Sequence, residues 1–366
     1  MALPTIWPLD PHTQAKHRIL EEYLKAWFPI LSKGNRRIIY IDGFAGPGVY
    51  EKGQIGSPII SLQCLVSHSL NLCEERKDTE FLFLFFEEEE ERAKILKGQI
   101  AERFPTRPPN VLIHVEHGKF EDIINKILDQ IEDHGKNLAP TFAFIDPFGY
   151  SGLPFYLVQR ILSYRSCEVF INFAFNSINR FIETYDGRQE IFDGLFGTNE
   201  WSKTRAIKNP TERNAVLTKI YTEQLKSVAR YVRSFEMVNN QGNVAYYLYF
   251  ATNHQLGFQQ MKRAMWKVDP RGSYRFADTT DVGVRFLISF DEGSKYRDQA
   301  DSIYRSFDGK NVPIEEIEQF CIDATPFPYL WKSSLKILER EGKLSVDKRT
   351  KNMTYPSGCN ISFKQS

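Results

Sequence analysis

The sequence lacks any cysteine pattern that would hold a metal or a disulfide framework. Its 366 residues include five cysteines (Cys64, Cys73, Cys167, Cys321 and Cys359), an odd number with no CxxC pair, so neither a zinc site nor a stapled secreted fold is signalled. No apolar run approaches the ~20 residues that cross a bilayer, and residues 1–10 carry no basic-then-apolar signal pattern. An excess of either charge is also missing. The 47 Lys+Arg against 46 Asp+Glu give a formal net charge of +1, which excludes a uniformly basic coat for nucleic acid and argues against an acidic or disordered chain. There is no G-x-G-x-x-G dinucleotide turn, no G-K-[ST] phosphate loop, no PD-(D/E)xK nuclease spacing and no metal-ligand cluster. The expectation is a soluble, reduced, cytoplasmic protein without a metal. What the chain does have is core material: 42% of residues are hydrophobic and 14% aromatic. At roughly 100–200 residues per domain, this length predicts two or three domains.

Residues 12–31 place Leu20, Tyr23, Leu24, Trp27 and Leu31 at helical spacing. The period then changes. Apolar runs at 37–42 (RIIYID), 81–86 (FLFLFF), 111–115 (VLIHV), 141–146 (TFAFID) and 169–173 (VFINF) show no polar alternation, as strands buried on both faces do. Helical patterns separate them at 57–69, 89–103, 120–133 and 153–163, so the order β-α-β-α-β-α-β-α-β predicts a doubly wound α/β sheet. Residues 180–235 read as helical and polar, 244–251 (VAYYLYFA) as a late edge strand, and 291–307 as a linker. From 312 onward the pattern is a helix (314–322), a helix starting at Thr325-Pro326, and two short strands (343–347 and 353–356) around a basic turn. That is the outline of a winged helix-turn-helix.

In open α/β sheets, ligands bind beyond the carboxyl ends of the strands. The first strand ends in Asp42-Gly43-Phe44-Ala45-Gly46-Pro47-Gly48, where glycines let a ligand approach the backbone; a plain structural turn is the alternative. Asp42 would repel a pyrophosphate but suits the positively charged amino-acid part of S-adenosylmethionine (SAM). The second strand ends at Glu87, a carboxylate placed to accept ribose hydroxyls, or else the charged start of the next helix. After the third strand, Lys119 and Phe120 are placed to meet a base. The fourth ends in Asp146-Pro147-Phe148-Gly149-Tyr150. This set partly matches the D-P-P-Y/F loop of amino-group methyltransferases, with Phe148 in place of the second proline.

The segments 12–27 (HTQAKHRILEEYLKAW), 40–58 (YIDGFAGPGVYEKGQIGSP), 144–154 (FIDPFGYSGLP) and 250–270 (FATNHQLGFQQMKRAMWKVDP), with the C-terminal helix-and-strand unit, together resemble the three-Cys-motif partner proteins. The resemblance covers nearly the whole chain. It implies a Rossmann-like SAM-methyltransferase domain over 1–290, with an N-terminal helix and a helical insertion near 180–235, followed by a winged helix-turn-helix over 300–366. It also implies SAM as cofactor and a radical-SAM-like partner that carries the three cysteines. By that resemblance Asp42, Gly43, Gly46 and Gly48 would hold the methionine part, with Glu87 and Asp146 at the ribose and acceptor positions.

Three further groups are candidates for binding substrate or nucleic acid. His12, Lys16 and His17 lie on the first helix, where they would cover the pocket or simply cap it. Lys262, Arg263 and Lys267 belong to a basic stretch, 260–275, that also holds Arg271 and Arg275. From 326 to 366, eight basic residues face three acids. Lys332 and Lys336 would face a groove there, with Lys348, Arg349 and Lys351 on the wing. The function expected is SAM-dependent methylation of a nucleic acid or nucleotide-like acceptor, DNA or RNA. A non-catalytic binding module with a degenerate SAM fold and a nucleotide-processing enzyme or nuclease are the alternatives.

Overall fold

A computed structural model describes residues 5–147, 153–174, 178, 179, 182, 189–239, 241–269, 275–277, 292–326 and 330–365; of 67–75 and 292–295 only the backbone is described. Eight strands form one sheet: β1 (Arg37–Asp42), β2 (Glu80–Glu87), β3 (Val111–His117), β4 (Thr141–Ile145), β5 (Cys167–Phe173), β6 (Tyr231–Val238), β7 (Val244–Thr252) and β8 (Arg275–Ala277). Their order is β3-β2-β1-β4-β5-β7-β6-β8. The first five strands are parallel, and β7 runs antiparallel to both β5 and β6. Around the sheet are α1 (Pro11–Leu31), α2 (Ser57–Glu75), α3 (Glu90–Arg103), α4 (Phe120–Asp133), α5 (Phe155–Ser163), α6 (Gln189–Phe196), α7 (Pro210–Val228) and α8 (Gln255–Val268). Because β2 and β3 lie on one side of β1 while β4 and β5 lie on the other, the chain reverses direction between β1 and β4. That switch point is where a doubly wound sheet opens a crevice.

The strands are buried for the reason their sequences predict. β2 sends Phe81, Phe83 and Phe85 to one face, where Tyr40 lies 5.8 Å from Phe83 and 6.1 Å from Phe142. The first helix covers this aromatic layer: Phe28 is 5.8 Å from Phe83, and Tyr23 is 5.0 Å from Phe142. The opposite face carries Ile39, Ile41, Ala143, Ile145 and Phe86 against α4 and α5. Each fully buried aromatic contributes roughly 1.5–3 kcal/mol. α1 starts where Asp10 accepts a hydrogen bond from Thr13 N (2.7 Å) and proline occupies the first turn.

Two expectations for the sheet need correction. The strand expected at an edge, β7, is an inner strand flanked by β5 and β6. Residues 231–235, expected to be helical, open β6. There, Tyr231, Phe235 and Met237 turn inward while half-buried Arg233, Ser234 and Glu236 interrupt the apolar pattern.

The described residues form two compact units; the second comprises α9 (Glu292–Phe307), β9 (Asn311–Pro313), α10 (Ile314–Ala324), α11 (Trp331–Arg340), β10 (Leu344–Val346) and β11 (Asn360–Phe363). The stretch expected as a linker is α9, and its Ala300, Ile303 and Phe307 enter this unit's core with Ile317, Leu335 and Ile361. Thr325 ends α10 rather than starting a helix, donating its hydroxyl to Cys321 O (2.8 Å). The sheet runs β10-β11-β9, so the strand that pairs with 344–346 is 360–363 and not the expected 353–356. No helix among the described residues is long and apolar enough to cross a membrane.

Candidate active site

A cavity of about 330 Å³ opens over the carboxyl ends of β1, β4 and β5, within the size range of small-ligand sites. Its floor is the turn after β1. Gly46 (φ +62°) and Gly48 (φ +73°) adopt left-handed conformations that side chains disfavour. A Cβ on Gly48 would stand 2.7 Å from Leu96 Cδ1, and one on Gly46 would stand 3.4 Å from the Trp7 ring. The turn is tied to the sheet through Gly43 N to Phe144 O (2.9 Å) and Ala45 N to Phe86 O (2.8 Å).

Glu87 secures the same turn from β2. Its Oε2 accepts from Gly46 N (2.8 Å) and its Oε1 from Glu89 N (2.9 Å), with Arg92 Nη1 at 3.7 Å. Both oxygens thus hold backbone, and the carboxylate fixes the shape of the floor. Asp42 lies under the turn, fully buried, with Oδ1 accepting from Phe44 N (3.3 Å) and Oδ2 without a hydrogen-bond partner. Burial pushes its carboxyl up to about 7, against the opposing pull of Ser57 and Phe44 N–H. Phe44 lines the cavity. Phe120 does not present a ring to a ligand: it is core, 5.9 Å from Phe44 and 5.6 Å from Phe86, and it packs under Gly43. Lys119 points outward, 3.8 Å from Glu88 on the surface.

The far wall belongs to β4 and β5. Asp146 and Pro147 line it; Asp146 is ion-paired to buried Lys16, and its Oδ1 accepts from Asn172 Nδ2 (2.6 Å). Phe148 and Tyr150 lie outside the described residues. Lys16 and its neighbour His17 come from α1, and Lys16 Nζ also sits 5.6 Å over the Tyr246 ring. Burial first, and then Lys16, depress His17 to about 3, with Asp146 opposing. The neutral imidazole is thus the favoured form. His12 lies elsewhere on α1, with Nε2 at 2.8 Å from Val238 O.

The site contains residues that sequence reasoning passed over: Trp7, Asp10, Thr13, Tyr50, Ser57, Asn172 and Tyr246. Asn172 had a signal, since it is the polar residue in the otherwise apolar run 169–173. Trp7, Tyr50 and Tyr246 reach the cavity through tertiary packing alone. The Tyr50 hydroxyl is raised in pKa by burial and then by Asp146, Asp10 and Asp42; Asp10 and Asp146 line the pocket and Asp42 lies beneath it, against one lining lysine.

None of the basic candidates on α8 lines it. Lys262 is fully buried, 5.3 Å from the Phe258 ring, and is therefore a packing residue and not a phosphate contact. Arg263 is exposed, as is Lys267, which is 3.8 Å from Glu22; Arg271 lies outside the described residues. In the second unit Lys332, Lys336, Lys348 and Lys351 are exposed. Arg349 is instead half-buried and ion-paired with Glu339, which also accepts from Tyr355 Oη (2.8 Å).

No family profile and no curated protein matches this chain. Among solved structures, it is similar to the O-methyltransferase from Bacillus cereus in complex with SAH, at 16% identity and TM-score 0.34 over 63% of this chain and 80% of that one. It is similar to the O-methyltransferase TomG from Streptomyces achromogenes, in complex with SAM, at 15% identity and TM-score 0.34 over 64% and 79%. It is also similar to Trm1 from Pyrococcus horikoshii with S-adenosyl-L-methionine, at 10% identity and TM-score 0.37 over 73% of this chain and 62% of that one. Likenesses this low leave the argument to the chain's own topology and pocket.

Proposed function

We propose that the chain is a SAM-dependent methyltransferase acting on a nucleic acid or nucleotide-like acceptor. The observation that carries this reading is the pocket at the β1/β4 switch point: a glycine-rich turn facing Asp10, Asp146 and a single lysine. Such a charge set repels a pyrophosphate and suits a ligand that bears a sulfonium and an ammonium. The residues fit the group. Gly46 leaves room where a Cβ would meet the Trp7 ring at the cavity wall, Gly48 takes a left-handed turn packed on Leu96, and the orphaned Asp42 Oδ2 lies beneath. When bound, SAM supplies an electrophilic methyl group. The protein positions the acceptor in line and excludes water, which is the larger part of what methyl transfer requires.

The second unit supports a nucleic-acid acceptor. Lys332 and Lys336 stand one turn apart on the exposed side of α11, and Lys348 and Lys351 follow β10. With β9-α10-α11-β10-β11 in that order, we read the unit as a winged helix, with α11 as the groove-reading element. The motifs at 40–58 and 144–154 support membership of the three-Cys-motif partner family and a radical-SAM-like partner, which co-purification would test. Isothermal titration decides the central claim. Saturable binding of SAM and SAH, with none of NAD, is expected; no heat with millimolar SAM would sink the reading.

A further inference from the structure

Asn172 has one amide orientation open to it. The Asp146 carboxylate is ion-paired to Lys16 and offers lone pairs only, so Asn172 turns its Nδ2 donor toward Asp146 Oδ1, at 2.6 Å. Its own Oδ1 consequently points away from the acid. That oxygen is buried without a hydrogen-bond partner, on a residue that lines the cavity. Leaving a buried acceptor unpaired costs about 1–3 kcal/mol, and each such group in a folded protein calls for an explanation. A ligand donor supplies one. Each oxygen of Asp146 already accepts one hydrogen bond, from Lys16 and from Asn172, whereas Asn172 Oδ1 accepts none. Trp7, Phe44, Tyr50 and Tyr246 add aromatic surface to the same walls, which suits a planar heterocycle.

We infer that Asn172 is a substrate-binding residue whose Oδ1 accepts a hydrogen bond from the exocyclic amine of a nucleobase, the nitrogen that is methylated. The inference rests on the methyl-transfer reading above. In that transfer the amine lone pair forms the N–C bond, the C–S bond breaks with its electron pair going to sulfur, and the nitrogen sheds one proton, delivered in the end to bulk solvent.

The test is ligand-observed NMR on the full chain with saturating SAH. The probes are two pairs: adenosine with purine riboside, and cytidine with pyrimidin-2-one riboside; the second member of each lacks the amine and adds no bulk. In at least one pair the amine-bearing nucleoside should bind about tenfold or more tightly, as one unpaired buried acceptor implies. Asn172→Leu should bind both members of each pair alike, measured at an SAH concentration that saturates that variant. Equal binding within both pairs, no binding of any probe, or discrimination that survives in Asn172→Leu overturns the inference. If that variant does not fold, Asn172→Ala makes the same comparison. Failure of the cofactor reading shows separately, as absence of SAH heat in the unaltered chain, and the nucleoside pairs are then compared on the apo protein with the same criteria.

Discussion

Asp42→Asn separates what stabilises the fold from what serves the site. The carboxyl of Asp42 is raised from the usual carboxylate value to about 7 by burial, whereas in the unfolded chain it ionises near 4. Between those pH values the native state holds a proton that the unfolded state has lost, so stability falls as pH rises through that window. Below about pH 4 both states are protonated and nothing is lost; above about 7 the full cost is present, about 4 kcal/mol at 1.36 kcal/mol per pH unit. Asparagine keeps the shape and an acceptor for Phe44 N–H without the charge. Urea unfolding of the apo protein should therefore find Asp42→Asn the more stable at pH 7.5. Its advantage should grow by roughly 2–3 kcal/mol between pH 5 and pH 7.5. A cation seated on the turn above Asp42 favours its ionised form, so SAM binding at pH 7 should release part of a proton. Calorimetry in buffers of different ionisation enthalpy detects that release. Equal pH slopes for the two proteins would refute the burial argument, and proton-neutral SAM binding would refute the placement of the cation.

Other perturbations follow from the same geometry. Gly48→Ala forces a Cβ to within 2.7 Å of Leu96 Cδ1 at a φ of +73°; a stability loss of about 1–3 kcal/mol and weaker SAM binding should appear together in denaturation and titration. Lys16→Met leaves Asp146 Oδ2 without its cation and should cost about 1–3 kcal/mol, measured as a lower unfolding midpoint. The double change Lys348→Ala with Lys351→Ala touches exposed residues. It should leave thermal stability unchanged, reduce binding to nucleic acid and flatten its salt dependence by roughly two in log–log slope. Arg349→Ala breaks the Glu339 ion pair and should instead lower the melting temperature; an effect confined to nucleic-acid binding would disprove its structural role.

The five parallel strands and their helices were legible because unbroken apolar runs leave few alternatives to burial on both faces. Strand-end placement then located Asp42, the glycine turn and Asp146 from sequence alone. Roles were harder. Glu87 and Phe120 stand at the expected strand and helix ends, yet one clamps backbone and the other packs under Gly43, a distinction that depends on side-chain direction. Lys262 counted as positive surface in the sequence but is buried against Phe258. Pairing across 130 residues, as between Lys16 and Asp146, leaves no local pattern to find. β6 was missed because half-buried polar residues broke its apolar run.

The first helix has a second anchor point. Tyr23 donates to buried Glu168 of β5 (2.5 Å), which also accepts from Thr252 of β7 (2.8 Å), and Gly257 of α8 leaves room for that carboxyl. Seven residues up the same helix, about 10 Å along its axis, Lys16 meets Asp146. The helix is thus pinned at two heights to strands on the β4–β7 side of the sheet, while the glycine turn hangs from β1, from β2 and, through Gly43 N to Phe144 O, from β4. The floor and the roof of the pocket share β4 and otherwise rest on different strands. Substitutions at Tyr23, Glu168 or Thr252 shift the wall that α1 supplies while the Glu87–Gly46 clamp of the floor stays in place.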